Sequence, residues 1–153
     1  MADTLKSEWI MDVKAEVSPP IEIADGPMGL RRIIPIGGGT FEGPKLKGTV
    51  LAGGADYQIL RKDGVTVLEA KYLLKTDDGV TIAVTNKGMR HGPPEVLKRL
   101  FAGEPVDPSE YYFRAAPEFE APSGRYEWLN KSLFMSVGER KVDGVVIHFY
   151  RIL

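Results

Sequence analysis

Two carboxylates stand where proton-transfer chemistry would need them. Asp56 lies in "GGADYQIL" and Glu69 in "VLEAKYLLK", both segments in which polar and apolar residues alternate. An apolar setting disfavours the charged carboxylate and raises its pKa toward the range useful to a general acid or base. Both are candidate catalytic residues. Arg114, among the aromatics of "YYFRAAPEF", is a candidate clamp for a carboxylate or a developing oxyanion. Tyr112 in the same run and Trp128 in "RYEWLN" are candidate apolar walls, and Asn130 shares the Trp128 face. Polar groups interleaved with aromatics are the composition of a ligand chamber.

Each of these residues also has a structural reading. Glu69 and Lys71 share one strand face, opposite Leu68, Ala70, Tyr72 and Leu74. That pair reads equally as a solvated outer face carrying an ion pair. Arg114 and Asp56 read equally as partners in a buried hydrogen-bond network.

Other chemistries find less support. Gly38 to Gly43 in "PIGGGTFEGPK" has the glycine spacing of a phosphate-binding loop, but Pro44 follows and Lys45 comes one place late. No helix pattern opens there, so the glycines are expected to serve bends and close strand approach. The chain has no cysteine and only two histidines. No metal site is expected: His91 lies in a loop and His148 in a strand, where a packed role is expected. No G-x-S-x-G elbow is present, and no bound cofactor is expected.

The elements that must position these groups are mostly strands. The 153 residues suit one domain, 1–153. Met11, Val13, Ala15 and Val17 alternate with charged residues, the period of a half-buried strand ended by Pro19-Pro20. "LRRIIPI" reads as a strand whose Pro35 calls for an edge or a bulge. Turns at Asp63-Gly64, Asp77-Asp78-Gly79 and Asp143-Gly144 join pairs of β-rich runs. One helix is predicted from Pro93-Pro94 to Gly103, with Val96, Leu97, Leu100 and Phe101 on its apolar face. "RYEWLNKSLFM" is expected to return to strand. The sum is an all-β chain of about eight antiparallel strands and one short helix. A closed up-and-down barrel removes exposed edges; a two-sheet sandwich is the alternative.

Twenty Lys and Arg balance 21 Asp and Glu, giving a net charge of -1. That leaves no electrostatic footprint for nucleic acid or an anionic membrane, and neither partner is expected. "MADTLKSEWIMDVKAEV" lacks the apolar core of a signal peptide, so a cytoplasmic location is expected.

The ordered series "GLRRIIPIGGGTFEGPKLKG", "GGADYQ", "LEAKYLLKTDDGVTIAV", "YFRAAPEFE" and "YEWLN" resembles the family called domain of unknown function 3237, or uncharacterised protein family 0311. The resemblance runs from about Met28 to the C-terminus. It implies a closed antiparallel barrel similar to the allene oxide cyclase and lipocalin-like barrels. It also marks Asp56, Glu69, Tyr72, Arg114, Trp128 and Asn130, adding Tyr72 to the substrate-binding candidates. Family members often carry Asp-Trp at Asp56-Tyr57 and Arg at Lys71. A lysine there lacks the planar fork that grips a carboxylate.

Three functions compete. The first is a small-molecule-binding barrel with cofactor-independent lyase, isomerase or cyclase activity in its lumen. The second is a non-catalytic binder or carrier using the same chamber. The third is an interaction module with a packed lumen, burying one face in a homodimer.

Overall fold

The computed structural model describes residues 3–153; the expected domain 1–153 begins two residues outside that range. Ten strands follow in chain order. They are β1 (Ser7–Val17), β2 (Ile21–Gly26), β3 (Gly29–Glu42), β4 (Lys47–Val50), β5 (Gly54–Leu60), β6 (Thr66–Thr76), β7 (Thr81–His91), β8 (Tyr112–Glu120), β9 (Phe134–Arg140) and β10 (Gly144–Ile152). The helix α1 (Pro94–Phe101) lies between β7 and β8.

The ten strands form eight staves. The β4 and β5 strands both pair with β3 on one side and β6 on the other, so they are one stave broken at residues 51–53. Likewise β1 and β2 pair with successive parts of β3 and are one stave broken at Pro19-Pro20. Each stave pairs antiparallel with the next along the chain, and β1 also pairs with β10. That last pairing closes the ring, as the barrel reading required and a sandwich would not.

Local chemistry explains the breaks and the turns. Two prolines stop β1, because neither can donate to the ladder. Gly53 has φ +109°, a region that side-chain-bearing residues rarely enter. Gly54 then passes so close to β6 that an added Cβ would sit 2.6 Å from the Cβ of Tyr72. The run Gly37 to Gly39 proves to be part of β3, not a turn, and the register against β1 slips between Ile36 and Gly38. Pro35 sits beside that slip, in the bulge setting its sequence called for. In the turns at Asp63-Gly64 and Asp78-Gly79 only the glycine has positive φ. The Gly64 and Gly79 N–H groups donate to the Arg61 and Thr76 carbonyls, so these are type I turns ended by a glycine.

The two ends of the barrel differ. At one end the core is dry: Phe119 meets Phe134 and Phe149 edge-to-face, with centroids 4.9 and 5.5 Å away. Met11, Leu74 and Phe149 are fully buried there, each worth about 1.5–3 kcal/mol of burial. The segment between β8 and β9 caps this end. "RYEWLN" is not a strand: Glu127–Lys131 forms a short 3₁₀ helix with Leu129 buried. Tyr126 OH donates to Asp78 in the β6–β7 turn at 2.8 Å, pinning the cap. The other end carries α1, whose buried Val96, Leu97 and Leu100 roof the barrel. No described helix is long and apolar enough to cross a membrane.

His148 is not packed inside, as was expected. It lies on the outer face of β10, with Nδ1 2.6 Å from Asp12 Oδ1 and Nε2 2.7 Å from Glu139 Oε2. Desolvation, the largest single influence, lowers its pKa. The bonds to Glu139 and Asp12 together outweigh it, and the net direction is up. A raised histidine pKa stabilises the fold below the unfolded value of about 6.5 and stops doing so once pH passes the folded value. The substitution His148→Gln should lower the melting temperature in mildly acidic buffer and have little effect in alkaline buffer, read by thermal melts across pH. Separately, Gly54→Ala should cost about 1–3 kcal/mol by overpacking against Tyr72, measured by urea denaturation.

Candidate functional site

Strand parity decides what faces the lumen. On β5, Gln58 points inward and is 2% exposed, while Tyr57 points out. Asp56 shares the Gln58 parity, and both line the same cavity. On β6, Leu68, Ala70 and Tyr72 line it too. On β7, Ile82 and Val84 start an apolar inner row that continues as Asn86 and Arg90. The inner row of β9 ends at Arg140.

Asp56, Gln58, Tyr72, Asn86, Arg90 and Arg140 help to bound a cavity of about 90 Å³ in the roofed half of the barrel. Its walls are mostly aliphatic, including Val13, Ile36 and Ile147. It opens into a vestibule of about 200 Å³ between Pro19-Pro20, Arg32, α1 and Arg140. Ile34, Arg90 and Arg140 border both spaces. Larger hollows exist outside the barrel, such as one of about 400 Å³ beside Trp9 and Glu42. They are open surface grooves, and none of the polar groups described next faces them.

The polar groups in the cavity are short of partners. Gln58 Nε2 donates to Asp56 Oδ2 at 2.8 Å. The other oxygens of the pair, Asp56 Oδ1 and Gln58 Oε1, are buried without a hydrogen bond, and so is the Tyr72 hydroxyl. Such groups cost stability, of order 1–3 kcal/mol each, and folded proteins keep few of them. Deeper in, Ser136 Oγ donates to Asn86 Oδ1 at 3.3 Å.

Burial pushes the Asp56 carboxyl up from its usual value, although the Gln58 bond, the Arg90 charge, the nearby Glu69 backbone N–H and the Arg32 charge pull the other way. Tyr72 is likewise pushed up by burial and by Asp56, so its hydroxyl keeps its proton and can donate. Arg90, 6% exposed, is pushed down to about 10 by burial and by repulsion from Arg140, and remains a cation at neutral pH.

The expected site divides. Asp56 and Tyr72 are brought together in the cavity. Glu69 is on the outer face of β6, where its carboxylate lies 3.9 Å from Lys71 Nζ. Its parity is opposite to the lumen-lining Leu68 and Ala70, which is why it points out. Arg114 and Tyr112 are also outside, on the parity opposite to buried Phe113 and Ala115. The Arg114 guanidinium lies 5.4 Å from the Tyr112 ring centroid, and Tyr112 stacks on His91. Arg114 therefore does not pair with Asp56. Trp128 and Asn130 belong to the cap at the opposite end. Trp128 lies under Lys45 and Arg151, and Asn130 holds both the N–H and the C=O of Ala121. Those five residues do not share a chamber with Asp56.

Sequence reasoning passed over Arg32, Asn86, Arg90 and Arg140 and left Gln58 without a role. The signal was present for three of them. Arg32, Asn86 and Arg90 are polar residues on the apolar parity of their strands, whereas on β5 and β9 apolar residues fall on both parities and give Gln58 and Arg140 no such mark.

A family model described as "Protein of unknown function (DUF3237)" matches residues 5–152. A UPF0311 protein of Rhodopseudomonas palustris is 42% identical over 153 residues, covering 100% of both chains. The crystal structure of a conserved protein of unknown function from Rhodopseudomonas palustris, 42% identical, matches with a TM-score of 0.95 over 100% of both chains. A structure described as an enzyme from Penicillium herquei is 20% identical and has the same fold, with a TM-score of 0.75 over 100% of this chain and 98% of that one.

The Asp56 environment fixes the sign of a pH effect. A raised carboxyl pKa means the folded state holds its proton longer than the unfolded chain. Stability is therefore lost as pH rises from the usual value of 3.8 to the raised folded value. The substitution Asp56→Asn removes that loss. It should raise the melting temperature at neutral pH, by roughly 2–4 °C for each kcal/mol gained. The gain should vanish as the buffer approaches pH 3.8, followed by differential scanning calorimetry.

Proposed function

We propose that this chain, which belongs to the DUF3237 family, is a small-molecule-binding barrel whose lumen performs cofactor-independent proton transfer, as in an isomerase or lyase. One observation carries the reading: Asp56 Oδ1 is buried, faces an apolar cavity and has no hydrogen-bond partner. A fold gains nothing by burying such an oxygen, whereas a proton-transfer site requires one.

The residues suit abstraction of a proton from a carbon next to a carbonyl. Ionised Asp56 Oδ1 takes the proton, and the electron pair of the C–H bond passes to the carbonyl oxygen as an enolate. The Tyr72 hydroxyl, still protonated, donates to that oxygen, and the nearby Arg90 charge favours it. Where a C=C bond adjoins that carbon, Asp56 then returns the proton to the far end of the C=C bond, so that the double bond moves into conjugation with the carbonyl and the isomerisation is complete without any co-reactant. Gln58 holds Oδ2 and so fixes which oxygen is free. Apolar walls exclude water, which keeps the base desolvated.

The cavity also bears on the competing readings. A purely structural module would fill its lumen with side chains. The Penicillium herquei protein of this fold is described as an enzyme, but a shared fold carries no chemistry by itself. A carrier differs from the enzyme only in turnover.

Ligand-observed NMR with a panel of small cyclic and aromatic ketones should find compounds that bind, and the same compounds in D2O should exchange the hydrogens next to their carbonyl. The substitution Asp56→Asn should slow that exchange by about 100-fold or more while binding persists. Bound compounds that never exchange would make the protein a carrier. Exchange unaffected by Asp56→Asn would remove Asp56 from the chemistry.

A further inference from the structure

Three arginines ring the passage from vestibule to cavity. Arg32 comes from β3, Arg90 from the end of β7 and Arg140 from the end of β9. Distant in sequence, they are close enough in space for their charges to repel. None of the three has a carboxylate within ion-pairing distance among the described residues. Asp56 and, from β2, Glu22 are the carboxylates whose fields reach them.

Their donors are only partly used. One Arg140 Nη donates to the Leu100 carbonyl at the end of α1. The Nε atoms of Arg32 and Arg90 are buried and make no hydrogen bond. Aromatic faces hold the planes instead. Phe101 lies 5.1 Å from the Arg32 guanidinium and 5.9 Å from that of Arg90, and Phe113 lies 5.7 Å from Arg90. Stacking fixes each guanidinium plane and leaves its edge free to donate.

Gathering three like charges and burying one of them nearly completely is costly for a fold. A salt bridge to the protein would relieve it, and no neighbouring carboxylate provides one. A bound anion relieves it by supplying acceptors to the free donors. From the charge excess, the unpaired Nε groups and the position at the cavity mouth, we infer that the ligand is a small organic carboxylate. Its carboxylate sits on Arg32, Arg90 and Arg140 in the vestibule, with its apolar body in the barrel beside Asp56. Guanidinium edges match the planar two-oxygen carboxylate. The aliphatic walls beyond them match an apolar body better than a highly charged one.

The inference rests on the lumen being a ligand chamber, as proposed above, and adds the charge of the ligand. It requires the ligand to enter at the α1 end. It also places the reacting carbon deeper than the carboxylate, toward Asp56.

Calorimetric titration with benzoate and with benzamide, its neutral counterpart of similar shape, reads the anion directly. Benzoate should bind about tenfold or more tightly than benzamide, and added salt should weaken benzoate alone. The substitutions Arg32→Gln and Arg90→Gln should bring benzoate down to the benzamide level. Arg32, half-buried at the rim, gives the variant expected to fold, and Arg32→Lys should retain part of the preference. The inference is overturned if benzamide binds as well as benzoate, if Arg32→Gln binds benzoate like the wild type, or if neither compound binds. Binding of inorganic phosphate without benzoate overturns it as well. Equal binding of the two compounds would leave the chamber standing and remove only the anion. A benzoate preference without proton exchange in any bound ketone would remove only the acid–base role of Asp56.

Discussion

Closure of the ring is the constraint on which everything else rests. Once β1 pairs with both β3 and β10, every stave has two neighbours along its main run, and β2, paired only with β3, is left with an open edge among the described strands. Register is then fixed all the way round, and with it the face that each side chain takes. A slip of one residue would send Asp56, Gln58 and Tyr72 to solvent and bring Tyr57 and Glu69 inside. The site is thus a property of the whole ladder, not of one loop. Function in many folds lives on loops that vary freely. Here the groups of interest are held by strands on both sides, which suits a site where one oxygen must stay aimed and unpartnered.

Closure also creates a filling problem, and the chain solves it unevenly. Eight staves enclose a space that side chains can just fill. At the capped end the phenylalanines do so. Toward α1 the inner rows change character along single strands: Ile82 and Val84 give way to Asn86 and Arg90, and Phe134 gives way to Ser136 and Arg140. The two broken staves lie on this same side of the barrel. The kink at Gly53-Gly54 lets β5 approach β6 closely enough to set Tyr72 beside Asp56, while the Pro19-Pro20 break swings β2 away and leaves the vestibule open. Glycine and proline therefore act as architecture. The phosphate-loop reading failed because no helix follows those glycines and β3 runs straight through one set of them.

Much of this was legible beforehand. The barrel, the three hairpins and the position of α1 follow from period-two alternation, turn residues and a proline-to-glycine bracket, all of them local signals. The site was half legible, because Asp56 and Tyr72 were marked while five other candidates belong elsewhere. Glu69, Arg114 and Tyr112 drew attention as polar or aromatic residues in strands, yet their parity is that of solvent. Trp128 and Asn130 were judged on a strand face that does not exist, since a 3₁₀ helix replaces it. No local signal separates a short 3₁₀ cap from a strand in a run such as "YEWLN", where the deciding contacts are the Tyr126–Asp78 bond and burial of Leu129. The better rule asks where a polar residue sits on the parity that its strand otherwise reserves for apolar ones. That rule selects Arg32, Asn86 and Arg90 from the sequence as it stands; on β5 and β9 both parities mix polar and apolar residues, so only the closed ladder turns Gln58, Ser136 and Arg140 inward.

The polar residues of the inner rows are not equivalent, and their difference gives the lumen a direction. Ser136 donates to Asn86 Oδ1, and neither residue leaves a buried polar atom without a partner, which is how a fold tolerates polarity in its core. Gln58 satisfies one Asp56 oxygen and leaves the other free. The arginines satisfy almost nothing but the end of α1. Unmet hydrogen-bonding capacity thus grows from the packed end toward the roofed end, and positive charge grows with it. Among the described residues the packed end has no buried polar atom without a partner to offer a ligand, and the Tyr126–Asp78 bond fastens its cap. A molecule that supplies what is missing must approach past α1, meet cations first, an apolar wall next and a carboxyl oxygen last. A small acid with a reactive carbon beyond its carboxylate meets all of those conditions in that order; a neutral ketone meets only the last two, and a cationic molecule is repelled at the first.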